Sequence, residues 1–198
     1  MFTGIIEAIG KVVLFENKGA DARLGIHPGN TTWAEVRLGD SIAVQGVCLT
    51  VAELTSGDFC ADVSAETSRC STLGLFKAGR LVNLERSVMP TTRLGGHLVS
   101  GHVDGVGQVV ARTEEGRSLR LQIEAPRELA KYIATKGAIC VDGVSLTVNA
   151  AEAARFEINI IPHTLQQTTL GALKTGDAVN LEVDMIARYV ERLIPDRV

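Results

Sequence analysis

The chain is poor in rings. Aromatic residues make up 4% of its 198 positions, with a single tryptophan, Trp33. So few rings exclude a stacking platform for single-stranded nucleic acid. Positive charge is also short: 20 Lys and Arg stand against 23 Asp and Glu, and no basic block is present. A nucleic-acid surface is therefore not expected. The four cysteines, Cys48, Cys60, Cys70 and Cys140, form no C-x-x-C pair, which argues against zinc sites and disulfides. Buried free thiols are expected for Cys60, Cys70 and Cys140. No apolar run approaches the ~20 residues that span a bilayer. The start, "MFTGIIEAIGKVV", lacks the basic-then-apolar build of a signal peptide. A cytoplasmic protein without membrane contact is expected.

Nucleotide and metal motifs are missing as well. "GVGQVV" has Val110 where a dinucleotide-binding loop needs its last glycine, and no Gly-Lys-Ser/Thr loop occurs. His97 and His102 in "GGHLVSGH" are five apart, a poor spacing for two metal ligands on one helix face or strand. Taken alone, each reads as a hydrogen-bonded structural histidine.

What the chain does contain is itself, twice. "GVCLTV" at Gly46–Val51 returns as "GVSLTV" at Gly143–Val148, with Cys48 replaced by Ser145. The offset of 97 positions aligns the two halves from end to end: Gly4 falls on Gly101, Phe59 on Phe156, and "VNLE" at Val82–Glu85 on Val179–Glu182. A period this long is a tandem duplication of a domain rather than a solenoid repeat. Each copy is rich in short β-branched segments bounded by Gly, Asp and Asn, the pattern of a small closed barrel or sandwich. One helix per copy is expected: "APRELAKYIATKG", with Pro126 in its first turn and Gly137 as its stop, and a weaker version in "PGNTTWAEVRLGD". After the second "VNLE", "DMIARYVERLIPDRV" is helical and puts Met185, Ile186, Tyr189, Val190 and Leu193 on one face. That face either packs back on its own barrel or joins subunits.

"MFTGIIE", the pair "GVCLTV"/"GVSLTV", "GGHLVSGHVDG" and "IPHTLQQTTLG", in this order, resemble the alpha-type riboflavin synthase family of lumazine-binding repeats. The resemblance spans essentially the whole chain. It implies an all-β fold of two tandem six-stranded Greek-key β-barrels from an internal duplication, plus a C-terminal α-helix. The expected divisions are 1–86, a linker 87–97, 98–183, and an oligomerisation helix 184–198. It also implies a homotrimer in which the first barrel of one chain meets the second barrel of the next. The implied reaction needs no cofactor and no metal. Two molecules of 6,7-dimethyl-8-ribityllumazine react, one donating a four-carbon unit to the other, giving riboflavin and 5-amino-6-ribitylamino-uracil.

Such a dismutation needs two similar pockets with different tasks, which duplication followed by divergence supplies. By resemblance, one pocket is lined by Gly4, Ile5 and Ile6, by Cys48, Leu49 and Thr50, and by the run Asp62, Val63, Ser64, Ala65, Glu66 and Thr67. The other is lined by Gly101, His102 and Val103, by Lys136, and by Ser145, Leu146 and Thr147. It is completed by Asn159, Ile160, Ile161, Pro162, His163 and Thr164. The catalytic set implied is His102 for proton transfer, Ser145 as nucleophile or orienter of a water, Asp184 as its polariser, with Thr147 and Cys48. A non-catalytic lumazine- or flavin-binding antenna or storage protein is the alternative, because one fold hosts several functions.

Overall fold

The architecture is that of a computed structural model that describes residues 1–29, 33, 35–55 and 57–194. Within each repeat, alternation of apolar and polar residues dictates short strands with one face in a core. Six strands close the first barrel: β1 (Ala8–Lys18), β2 (Asp21–His27), β3 (Ser41–Val44), β4 (Val47–Leu54), β5 (Phe59–Val63) and β6 (Leu81–Arg86). Six more close the second: β7 (Gly105–Glu115), β8 (Ser118–Glu124), β9 (Ala138–Val141), β10 (Val144–Glu152), β11 (Arg155–Ile160) and β12 (Ala178–Val183). All pairings are antiparallel, and the first closes in the order β1-β2-β5-β4-β3-β6, a Greek-key arrangement that the second repeats. Even the bulges recur, between Val51 and Glu53 in β4 and between Val148 and Ala150 in β10.

Each barrel is filled by its own aliphatic side chains. Val12, Leu24, Ile26, Ile42 and Leu84 are fully buried in the first, Val109, Leu121, Ile123, Ile139 and Ile158 in the second. At ~1.5–3 kcal/mol for each buried side chain of this size, these interiors supply the main stabilisation.

The repeated motifs explain how the barrels meet. Gln45-Gly46 and Asp142-Gly143 form two-residue hairpin turns, with positive φ at all four positions. The turns lie back to back: a Cβ on Gly46 would sit 2.6 Å from the backbone nitrogen of Gly143. Both copies of the motif therefore begin with glycine. The asparagines of "VNLE" cross the same interface reciprocally. Asn83 donates to Asp142 O and Asn180 donates to Gln45 O, each at 2.8 Å. This exchange, i to j and j to i, marks an approximate two-fold axis between the repeats.

Several expectations change here. The helix expected over "APRELAKYIATKG" is a short 3-10 segment, Arg127–Tyr132, followed by an extended Ile133; the β-branched Ile133 and Thr135 disfavour continuation. Its first-repeat counterpart, "PGNTTWAEVRLGD", lies partly outside the described residues. Only Cys140 is a fully buried thiol. Cys60 is half-buried because it alternates outward on β5, and Cys70 because it ends the short helix α1 (Ala65–Cys70).

The C-terminal helix α3 (Met185–Leu193) sits with its polar side inward. Arg188 donates to Asp104 Oδ2 at 2.7 Å and to His102 O at 3.2 Å, and Glu191 pairs with Lys131 and Tyr132. Its apolar side, Ile186, Tyr189, Val190 and Leu193, is exposed, Leu193 by 79%. Of the two readings of this helix, the apolar stripe packed on its own barrel is not what forms.

Candidate functional site

Strand alternation decides which motif residues reach a ligand. On β4, Val47 and Leu49 point into the core while Cys48 and Thr50 point out. On β10, Ser145 and Thr147 share the outer face in the same way. Register places Val51 opposite Ala61, so one step further brings Thr50 abreast of Asp62 on the outer wall. The same step brings Thr147 abreast of Asn159. Leu49, Val63 and Ile160 are core residues and present only backbone to this surface. The candidate sites are thus patches on the outside of each barrel.

The segments that complete those patches cross over. Ser145 N–H donates to Gly4 O, and Cys48 N–H donates to Gly101 O, each at 2.8 Å. Ile6 packs against the second barrel's core and Val103 against the first. The sequence groups Gly4, Ile5 and Ile6 with Cys48, and Gly101, His102 and Val103 with Ser145, whereas the backbone contacts run crosswise between the repeats. Each repeat's lead-in segment serves the other repeat's strand. The reason is the two-fold axis, which sets β4 and β10 beside the lead-in of the opposite copy.

The Ser145 patch contains a residue that the sequence reading set aside as structural. His97 Nδ1 lies 2.6 Å from Ser145 Oγ. Burial lowers the pKa of His97, with the charge of nearby Asp184 pulling the other way. A neutral ring with a free lone pair is what an acceptor of the serine proton requires. Its Nε2 is buried without a partner among the described residues. Asp184 itself caps α3, its Oδ1 accepting from Ile186 N–H at 2.9 Å. The turn that delivers His97 needs Gly96, because a Cβ there would lie 2.1 Å from Thr3 O and 2.7 Å from Ser145 Cβ. The doublet "GGH" in a linker without first-repeat counterpart was the available signal.

His102, by contrast, is exposed and belongs with Cys48 through Gly101. The Ser64 side chain accepts from Thr67 N–H as the cap of α1, and Asp62 is ion-paired to Arg23 at 2.7 Å. Ala65 and Glu66 open α1 and are exposed. In the second repeat, Ile161 and Pro162 begin α2 (Pro162–Gln167), on which His163 is exposed and Thr164 half-buried. Lys136 is exposed and holds a left-handed backbone, φ 69°, where the first repeat has Gly39. No cluster of His, Cys, Asp and Glu suited to a metal occurs among the described residues. A groove of about 690 Å³, lined by Glu124, Arg127, Glu152 and Arg155 among others, lies elsewhere on the second barrel. None of the candidate residues line it.

A lumazine binding domain matches twice, over residues 3–87 and 100–184. Riboflavin synthases are similar along nearly the whole chain. The protein from Mycobacterium bovis is 49% identical, covering 98% of both chains. That from Photobacterium phosphoreum is 46% identical, covering 98% of this chain and 89% of its own. The chain belongs to the riboflavin synthase family. Among solved structures, LumP complexed with riboflavin superposes with a TM-score of 0.86 at 27% identity, covering 92% of this chain and 99% of that one. LumP complexed with 6,7-dimethyl-8-(1'-D-ribityl) lumazine gives 0.84. Membership in the riboflavin synthase family accounts for the doubled barrel. The non-equivalence of Cys48 and Ser145 then carries the question of what each copy does.

Proposed function

We propose that this chain is a transferase that converts two molecules of 6,7-dimethyl-8-ribityllumazine into riboflavin and 5-amino-6-ribitylamino-uracil. The observation that carries this reading is the asymmetry of two otherwise matched patches. Ser145 is hydrogen-bonded to half-buried His97, whose pKa burial lowers, whereas Cys48, at the same place in the first repeat, has exposed His102 nearby. One molecule lies against Cys48, Thr50 and Asp62–Thr67 with the Gly101–Val103 segment. The second lies against Ser145, Thr147 and Asn159–Thr164 with Gly4–Ile6. Backbone groups of the two lead-ins read the pyrimidine-dione edge, and Thr, Ser and Asn side chains suit the polyol.

The chemistry then follows from the groups in place. The 7-methyl of one lumazine is acidic because its anion delocalises over the ring, so modest bases suffice. Ser145 Oγ, or a water it orients, adds to carbon 7 of the other molecule while His97 Nδ1 takes the proton. Asp184 stabilises the resulting imidazolium. His102 exchanges the methyl proton in the Cys48 patch. Atoms of the two substrates equal those of the two products, so neither oxidant nor cofactor is required. Alignment of two reactants is itself worth ~7–11 kcal/mol.

Bringing the patches face to face calls for more than one chain. A homotrimer, gathered by the apolar side of α3, sets the first barrel of one chain against the second barrel of its neighbour.

A second reading, a lumazine or flavin binder without turnover, is favoured by the likeness to LumP in complex with riboflavin. Incubation with the lumazine alone, after chelation and dialysis, separates the two. Riboflavin release supports the transferase; tight binding without product supports the binder.

A further inference from the structure

Two glutamates are buried behind the sites and take no part in the reaction above. Glu85 on β6 is 3% exposed and Glu182 on β12 is 2% exposed. Burying a carboxylate is costly unless its oxygens are satisfied. Burial raises the pKa of both, and the donors around them act in the opposite direction. Those donors come from the lead-in segments. Glu85 Oε1 accepts from Thr3 N–H at 2.6 Å and from Thr3 Oγ1 at 2.7 Å, and Oε2 accepts from Gly4 N–H at 2.9 Å. Glu182 repeats the pattern on Ser100 N–H (2.7 Å), Ser100 Oγ (2.6 Å) and Gly101 N–H (2.9 Å).

Barrel closure does not require these contacts, because β1 starts at Ala8 and β7 at Gly105, after the clamped residues. What the contacts fix is the position of the carbonyls that follow: Thr3 O shares a peptide with the clamped Gly4 N–H, and Gly4 O and Gly101 O each lie one peptide further on. Gly4 O receives Ser145 N–H at 2.8 Å, and Thr3 O receives His97 N–H at 3.2 Å. Both members of the Ser145–His97 pair therefore hang from the two residues that Glu85 holds. On the other side, Gly101 O receives Cys48 N–H at 2.8 Å.

We propose that Glu85 and Glu182 are positioning residues with crossed reach: Glu85, in the first barrel, sets the Ser145–His97 pair of the second, and Glu182, in the second barrel, sets Cys48 of the first. Charge-assisted bonds to two successive amides are stronger and more directional than neutral ones. Glutamine cannot replace the carboxylate in either rotamer, since its NH₂ faces either the Gly N–H or the Thr or Ser pair. The geometry alone predicts the crossing; its importance for turnover rests on the two-patch reading above.

Glu85→Gln and Glu182→Gln test this in the full-length protein with two readouts that need no turnover. The first is the iodoacetamide alkylation rate of Cys48, mapped by peptide mass spectrometry with Cys60 of β5 as internal control. The second is the ring titration of His97 by NMR, assigned with His97→Gln. Glu182→Gln should speed Cys48 alkylation severalfold and leave His97 unmoved. Glu85→Gln should shift His97 towards the ordinary histidine range and leave Cys48 unmoved. If both variants moved both readouts alike, the glutamates would be general stabilisers and the proposal would fall. It would fall equally if neither readout moved. Should the glutamine variants not fold, Ser100→Ala and Thr3→Val, which remove only the hydroxyl donors, should show the same crossed pattern more weakly. Absence of that pattern overturns the proposal.

Discussion

His97 Nδ1 stands 2.6 Å from Ser145 Oγ, and the pair joins the linker between the repeats to an outward-facing position of β10. Cys48 occupies the matching position of β4 without such a partner among the described residues. Duplication made the two patches alike, and His97 of the linker between the repeats makes them unlike.

Ser145→Ala should lower kcat by about 100-fold or more, the usual span for loss of a group in proton-coupled attack. Cys48→Ser, which installs the other repeat's residue, should keep most of the rate. Steady-state riboflavin formation measures both. Comparable losses would contradict the division of labour between the patches.

The pH profile should carry the mark of His97. Burial depresses its pKa below the ordinary histidine value, so its ring stays neutral through pH 7 and the acid limb of kcat lies below the usual histidine range. The sign for stability follows from linkage. Below the unfolded histidine value the unfolded state binds the extra proton, so stability falls as pH drops until the folded pKa is passed. His97→Gln should remove the acid limb along with most of the activity.

Asp142 is fully buried at the barrel interface, and burial raises its pKa to about 7. Its Oδ2 and Thr72 Oγ1 of the first repeat are both without partners among the described residues. The folded state therefore holds a proton that the unfolded state has released, across the window from the ordinary aspartate value to about 7. Stability declines as pH rises through that window and levels above it. Asp142→Asn, which mimics the uncharged Gln45 of the first repeat and tolerates positive φ, should raise the Tm at pH 8 and change it little near pH 4. Thermal melts at both pH values decide it.

Leu193→Glu places a charge in the exposed stripe of α3 while sparing Arg188 and Glu191 on the docked side. It should dissociate the assembly and abolish riboflavin formation with far-ultraviolet circular dichroism unchanged. Light scattering that still shows trimers, with activity intact, would contradict the role given to this helix.

Much of this was legible in the chain. The 97-residue offset and the short β-branched runs led to two barrels, because closure of a small sheet follows from strand number and alternation. The crossing of the lead-ins was not legible: "TGII" lies near "GVCLTV" in the first repeat's sequence, yet Gly4 pairs with Ser145. Only the two-fold packing of Gly46 on Gly143 decides that exchange, and repeat alignment treats the two copies as independent. His97 was hidden for a related reason. It has no counterpart in the first repeat, so comparing the copies passed over it. The direction of α3 was ambiguous because an apolar stripe in sequence does not say which surface covers it.

In the proposed reaction one chain carries two unlike patches for one and the same molecule. Titration of the Ser145→Ala protein with 6,7-dimethyl-8-ribityllumazine, followed by equilibrium dialysis, tests it without turnover. Two bound molecules per chain, in two affinity classes, are the expected result. A single molecule per chain, or two in one indistinguishable class, would contradict it.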